Sequence, residues 1–188
     1  EQLSASGELD AVQERHARFV LALATFHCGF GQVYGLTETT GVIAYLRPED
    51  HDPRGTPRMR SCGLPIAGVE LRVVDDQGLE LPTGQVGEIA CRSRQNMKGY
   101  WNLPNESVRT IRGEWLHTGD AGYFDADGYL YIYDRVKDMI VSGGSNIFPA
   151  EVESALFGHA AVRDVAVIAV PDERWGEAVK AIVVREPG

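Results

Sequence analysis

Apolar and polar positions fall into three regimes along this chain. Over residues 9–24, Leu9, Val12, His16, Phe19, Val20 and Leu23 recur at helical spacing, and Asp10 with Gln13 forms a capping box at the start. From about 29 to 63, Gly, Pro and Thr are dense and no period holds, which predicts loop. Strand-length runs then take over. Val69–Val74 leads into the turn Asp75-Asp76-Gln77-Gly78, and Gly87–Arg92 is a second strand candidate. Residues 121–135 predict a hairpin about Asp125-Ala126-Asp127-Gly128. The same residues lack the ligand spacing and closing Glu of a calcium loop, so the turn is the better reading. Pro149 stands at a first helical position, Ala150–Phe157 places Val152, Ala155 and Leu156 on one face, and Gly158 ends the helix. Val165–Val170 and Ala178–Val184 follow as β-type runs. The apolar faces of this small α/β unit need more chain than the four residues after it supply.

Composition narrows the class. The 188 residues suit one domain and a part, 44% are hydrophobic and 24% charged, and 21 are glycine, a surplus that points to tight turns and close backbone approaches. A net charge of −9 argues against a general binder of nucleic acid or anionic membrane. The longest apolar stretches, Phe19–Phe26 and Val165–Val170, are far short of a membrane span, and no basic segment opens a signal peptide. Cys28, Cys62 and Cys91 form no CxxC pair and read as reduced thiols of a cytoplasmic protein. The chain opens on Glu, which suggests an excerpt of something longer.

Three clusters carry candidate chemistry. In Gln32-Val-Tyr-Gly-Leu-Thr-Glu-Thr-Thr-Gly41, Tyr34 can stack on a purine, Gly35 admits close backbone approach, the Thr37 hydroxyl can reach a phosphate oxygen and Glu38 can hold Mg²⁺. The alternative is a polar turn with Tyr34 in the core. A dinucleotide fingerprint is disfavoured, because no amphipathic helix follows the glycines. In Trp115-Leu-His-Thr-Gly-Asp120, Asp120 can accept both hydroxyls of a ribose, or be a plain surface-turn aspartate. The third cluster runs from Asp134 to Glu151. A hairpin over 121–135 would bring Arg135 near the position opposite Asp120.

These clusters resemble the signatures of acyl-CoA synthetases of the adenylate-forming (AMP-binding) superfamily, which also holds luciferases and peptide-synthetase adenylation domains. They stand in that superfamily's order, and a fourth, Gly87-Glu-Ile…Met97-Lys-Gly-Tyr-Trp-Asn102, lies where it should. The resemblance runs from about Gln32 to the C-terminus. It implies an α/β fold: residues 1–136 as the C-terminal part of the large domain, with a mixed sheet and a β-rich subdomain, and residues 137–188 as the start of a small α/β lid. It also implies an AMP-forming acid–thiol ligase that uses ATP, Mg²⁺ and CoA, with a fatty acid as the first choice of substrate. Carried over by motif, Tyr34 and Gly35 would line adenine, Thr37 would contact the α-phosphate and Glu38 would bind the metal. Asp120 and Arg135 would hold the ribose. Lys137 would be the interdomain hinge, or else a solvated linker lysine. Gly143, Gly144 and Trp175 would meet CoA, with plain packing the alternative for Trp175.

Departures temper this expectation. The family's upstream phosphate loop and its C-terminal adenylation lysine have no counterpart here, which implies that this piece alone forms no adenylate. Residues 1–28 match poorly, with a helix-like approach where the family has a short strand. An aryl-acid CoA ligase, a carrier-loading adenylation domain and a non-catalytic nucleotide-binding remnant stay open as alternatives. Peripheral membrane contact and oligomeric state stay open as well.

Overall fold

A computed structural model describes residues 28–52 and 55–186, together with 21, 22, 25 and 26. The helix expected over 9–24 lies outside the described residues, apart from Leu21 and Ala22, which are helical. The chain divides into compact units, one of Cys28–Tyr133 and one that holds Asp134–Gly188.

The first unit is built from strands. β1 (Gln32–Leu36), β2 (Gly41–Leu46) and β3 (Leu64–Pro65) make a three-stranded antiparallel sheet in that order. The stretch 29–63 predicts loop, and among its described residues this holds from Arg47 to Cys62, where only 3-10 turns and irregular backbone occur, but fails over 32–46. Its glycines and threonines hide β1 and β2, and Tyr34-Gly35 lies within a strand. A second sheet holds β4 (Val69–Val74), β5 (Gly87–Ser93), β6 (Ile111–Arg112), β7 (Trp115–Phe124) and β8 (Leu130–Arg135) in the order β4-β5-β7-β6, with β8 also on β7. A short helix α1 (Pro104–Thr110) begins at Pro104, whose missing N–H suits a first helical position.

The two sheets share one core. Tyr34, Ile43 and Ala44 of the first pack with Val69, Val73, Ile89, Cys91 and Leu130 of the second. Ile43, Ile89 and Leu130 are fully buried, and such side chains contribute about 1.5–3 kcal/mol each. Aspartates fix both predicted turns. Asp75 Oδ1 accepts the N–H groups of Gln77 and Leu79, and Asp125 Oδ1 accepts those of Asp127 and Tyr129. Burial raises the Cys62 and Cys91 thiols to about 11, so both stay protonated.

The second unit carries β9 (Ile140–Ser142), β10 (Ser145–Ile147), α2 (Pro149–Phe157), β11 (Val162–Asp172) and β12 (Gly176–Arg185), with sheet order β10-β9-β12-β11. Asp134 Oδ2 accepts the Ala150 N–H at 3.0 Å and so caps α2, while Glu153 Oε1 accepts the Val167 N–H at 2.7 Å and ties α2 to β11. Ile168, Val179, Ile182, Val183 and Val184 of β11 and β12 are exposed. Among the described residues no helix is long and apolar enough to cross a membrane.

Candidate functional site

In the first unit, two sequence clusters meet. The Tyr34 hydroxyl on β1 donates to Asp120 Oδ2 on β7 at 2.7 Å, with Tyr34 9% and Asp120 7% exposed. Asp120 is therefore no surface-turn residue. The Tyr34 ring packs in the core, and burial together with the Asp120 carboxylate holds its phenol well above the ordinary value, so it remains a donor. Gly35 is needed for a local reason. A Cβ there would lie 2.0 Å from the Gly41 carbonyl oxygen across a register shift between β1 and β2.

The turn after β1 explains how Thr37 and Glu38 are presented. Thr39, fully buried, accepts the Leu36 N–H at 2.9 Å, and its hydroxyl lies 2.9 and 2.8 Å from the Leu36 and Gly41 carbonyls. This staple turns Thr37–Thr39 into a 3-10 helix that leaves Thr37 exposed and Glu38 half-buried. Glu38 is braced from the fourth motif. Tyr100 Oη donates to its Oε1 at 2.8 Å, and the Met97 N–H donates to its backbone carbonyl at 2.7 Å. Among the described residues no group of three or more His, Cys, Asp or Glu could hold a metal ion. One oriented carboxylate fits a magnesium ion that takes its other ligands from substrate phosphates and water.

Asp120 sits in a bulge. Glu88 pairs with Ala121 and Ala90 with His117, so Ile89 of β5 stands against Thr118, Gly119 and Asp120 of β7. Gly119 has φ +73, a left-handed conformation that glycine adopts freely. Thr118 Oγ1 donates to the Ile89 carbonyl at 2.8 Å and accepts the Asp120 N–H at 3.1 Å. Glu88 accepts twice here, at 2.7 Å from His117 Nδ1 just before the bulge and at 3.1 Å from the Gly119 N–H inside it.

In the second unit, Gly143, Gly144 and Trp175 form one corner. The Gly143 N–H donates to the Trp175 carbonyl at 3.0 Å, and Asp172 Oδ1 accepts the Arg174 and Trp175 N–H groups. A Cβ on Gly143 would lie 2.6 Å from the Trp175 ring, whereas nothing lies within 4 Å of one on Gly144. The indole is 48% exposed, with the Arg174 guanidinium 4.6 Å from its centroid. Arg135 ends β8 and Lys137 lies in the following 3-10 turn, Val136–Asp138, both exposed. Sequence reasoning missed Thr39, Glu88, Tyr100, His117 and Thr118 as supports. All lie inside or beside the quoted motifs, but their partners are set by strand pairing.

The geometry can be set beside known proteins. The profile described as AMP-binding enzyme matches residues 9–101, and that described as AMP-binding enzyme C-terminal domain matches residues 151–188. The first match begins at residue 9, so the family's reach extends upstream of the expected start at Gln32 and takes in residues 9–28, while residues 1–8 lie outside it. A fatty acid–acyl-carrier-protein ligase of Streptomyces coeruleorubidus is 47% identical over 89% of this chain and 32% of its own length. A medium/long-chain-fatty-acid–CoA ligase of Mycobacterium tuberculosis is 47% identical over 89% of this chain and 29% of its own. The chain spans about a third of the length of these curated relatives. Among solved structures, o-succinylbenzoate CoA synthetase of Bacillus subtilis with its acyl-adenylate intermediate superposes with a TM-score of 0.77 at 35% identity, over 90% of this chain and 34% of that one. An amide bond synthetase of Marinactinospora thermotolerans has a TM-score of 0.71 at 42% identity, over 84% of this chain and 32% of that one.

Proposed function

Because this chain belongs to the AMP-binding enzyme family, we propose that the protein carrying it joins a carboxylic acid to a thiol through an acyl-adenylate. The acid's carboxylate attacks the α-phosphorus of ATP and pyrophosphate leaves. The CoA thiol then attacks the acyl carbon, forming the thioester and releasing AMP. The observation that carries this reading is the Tyr34–Asp120 hydrogen bond, which joins two motifs that lie 86 residues apart in sequence. A carboxylate fixed in a bulge can accept the hydroxyls of a ribose.

Roles follow from placement. Asp120 reads the ribose, and Tyr34 and Gly35 form the adenine side of the same site. Exposed Thr37 contacts the α-phosphate, and Glu38, oriented by Tyr100, holds magnesium. That ion would neutralise charge developing on phosphate oxygens. The roles of Arg135 as a ribose ligand and of Lys137 as a hinge rest on motif position, as does the division into residues 1–136 in the large domain and 137–188 in the lid; the break between compact units just after Tyr133 lies close to that boundary. Gly143, Gly144 and Trp175 form the thiol-side corner, where the open flank of Gly144 and the exposed indole leave room for a pantetheine arm. A fatty acid is the preferred substrate, in cytoplasmic lipid metabolism, since relatives of both the CoA and the carrier-protein kind act on fatty acids.

The identity of the first relative favours one competing acceptor, the phosphopantetheine thiol of an acyl carrier protein. Acid-dependent exchange of pyrophosphate into ATP, followed by thioester formation with CoA or with a carrier protein, tests both steps. Exchange with medium- or long-chain acids and transfer to CoA is the expected result. Exchange with no acid of an alkyl and aryl panel would overturn the proposal, and transfer to a carrier alone would select the second acceptor.

A further inference from the structure

We infer that Glu88 and His117 are positioning residues for Asp120: together they lock the Thr118-Gly119-Asp120 bulge of β7 and so aim the Asp120 carboxylate. The inference rests on the reading of Asp120 as the ribose acceptor. Its basis is a strut within one unit. The bulge takes Gly119 out of the regular β5–β7 ladder. A main-chain N–H freed in this way needs an acceptor, and Glu88 Oε1 supplies it at 3.1 Å.

The second Glu88 oxygen is also engaged. Oε2 lies 2.7 Å from His117 Nδ1, and because a carboxylate only accepts, the imidazole is the donor. The side chain of His117 is 4% exposed and that of Glu88 is 17%, so the pair is shielded by the fold. Burial pushes the Glu88 carboxyl up, but His117, the Gly119 N–H and the Arg112 charge outweigh it and hold the group below its usual range. The acceptor is thus ionised at neutral pH. Glu88 therefore grips the residues on either side of Thr118, while Thr118 Oγ1 holds the Asp120 N–H. From β1, Tyr34 fixes the carboxylate itself. The backbone of Asp120 is set from β5 and its side chain from β1. Neither Glu88 nor His117 has to touch the nucleotide for this.

The test is AMP binding, measured by titration calorimetry on the protein that carries this chain, with circular dichroism and thermal melting to monitor folding. Glu88→Ala and His117→Ala should each weaken AMP binding about tenfold, as loss of a hydrogen bond to a charged group does. Glu88→Gln keeps an acceptor for Gly119, and His117→Asn keeps a donor for Glu88, so both should recover most of the affinity. The decisive arm is the double variant. In an Asp120→Ala background, Glu88→Ala should cost less than about twofold more, because a residue that acts through another is not additive with it. A role confined to stability would lower the melting temperature, leave the affinity of folded protein unchanged, and so overturn the inference. Equal losses in the two backgrounds would overturn it too. If Asp120→Ala itself binds AMP normally, the ribose reading fails and the strut fails with it as a nucleotide device. A loss on Asp120→Ala but none on Glu88→Ala defeats the strut alone.

Discussion

Replacing Tyr34 with phenylalanine removes one oxygen and keeps the ring that packs in the core, so no cavity forms and the change isolates a single bond. That bond is 2.7 Å long, runs to a carboxylate, and joins residues only 9% and 7% exposed. A hydrogen bond to a charged group is worth about 1.5–3 kcal/mol, and water has little access here to replace it. For a chain of this length each kcal/mol moves the melting temperature by roughly 2–4 °C, so Tyr34→Phe should melt on the order of 5 °C below the parent. The same bond orients the Asp120 carboxylate, and AMP affinity should fall by about tenfold. Urea unfolding and AMP titration on the parent, Tyr34→Phe, Asp120→Ala and the double variant give a coupling energy. The two losses should be strongly non-additive. A Tyr34→Phe protein within about 0.5 kcal/mol of the parent, or additive with Asp120→Ala, would refute the assigned bond.

Other outcomes follow from the same geometry. Tyr100→Phe removes the donor that orients Glu38, so the magnesium concentration for half-maximal pyrophosphate exchange should rise about tenfold with little change at saturation; an unchanged magnesium curve would count against Glu38 as the ligand. Gly143→Ala places a Cβ into the Trp175 ring at a φ of +57, and should cost at least about 1–2 kcal/mol in urea unfolding and shift the Trp175 emission. Parent-like stability would show the corner to be looser than described. Because the Glu88 carboxyl is held below its unfolded value, its contribution is full above that value and is lost as pH falls through the folded one. The urea midpoint should therefore drop more steeply between pH 5 and about pH 3 in the parent than in Glu88→Gln, and equal slopes would contradict this.

The legible part of the fold was whatever local chemistry dictates. Val69–Val74 reads as a strand with its turn because apolar residues end at an aspartate that caps its own loop, and α2 is announced by Pro149. The β1–β2 pair escaped notice because its strands are short, each carries a glycine, and the threonines of Thr37-Glu38-Thr39-Thr40 between them read as loop; Gly35 is set by contact with Gly41 rather than by any loop. Tyr34 shows the limit of residue-by-residue reading. Stacking residue and core residue were the two alternatives, and the fold gives the tyrosine a packed ring and a working hydroxyl at once. The Asp120 bulge needed a register, and a register is not written in a single strand. Glu88 and Gly119, 31 residues apart, become neighbours only when β5 pairs with β7. Motif spacing located the reactive side chains but said nothing of the groups that hold them.

Binding of AMP and of its 2′,3′-dideoxy analogue to the parent and to Asp120→Ala tests the central assignment most directly. The parent should lose about 10- to 100-fold in affinity when the ribose hydroxyls are removed, as expected for hydrogen bonds to a carboxylate. Asp120→Ala should bind both nucleotides weakly and alike. An Asp120→Ala protein that still discriminates between them as the parent does would contradict the account.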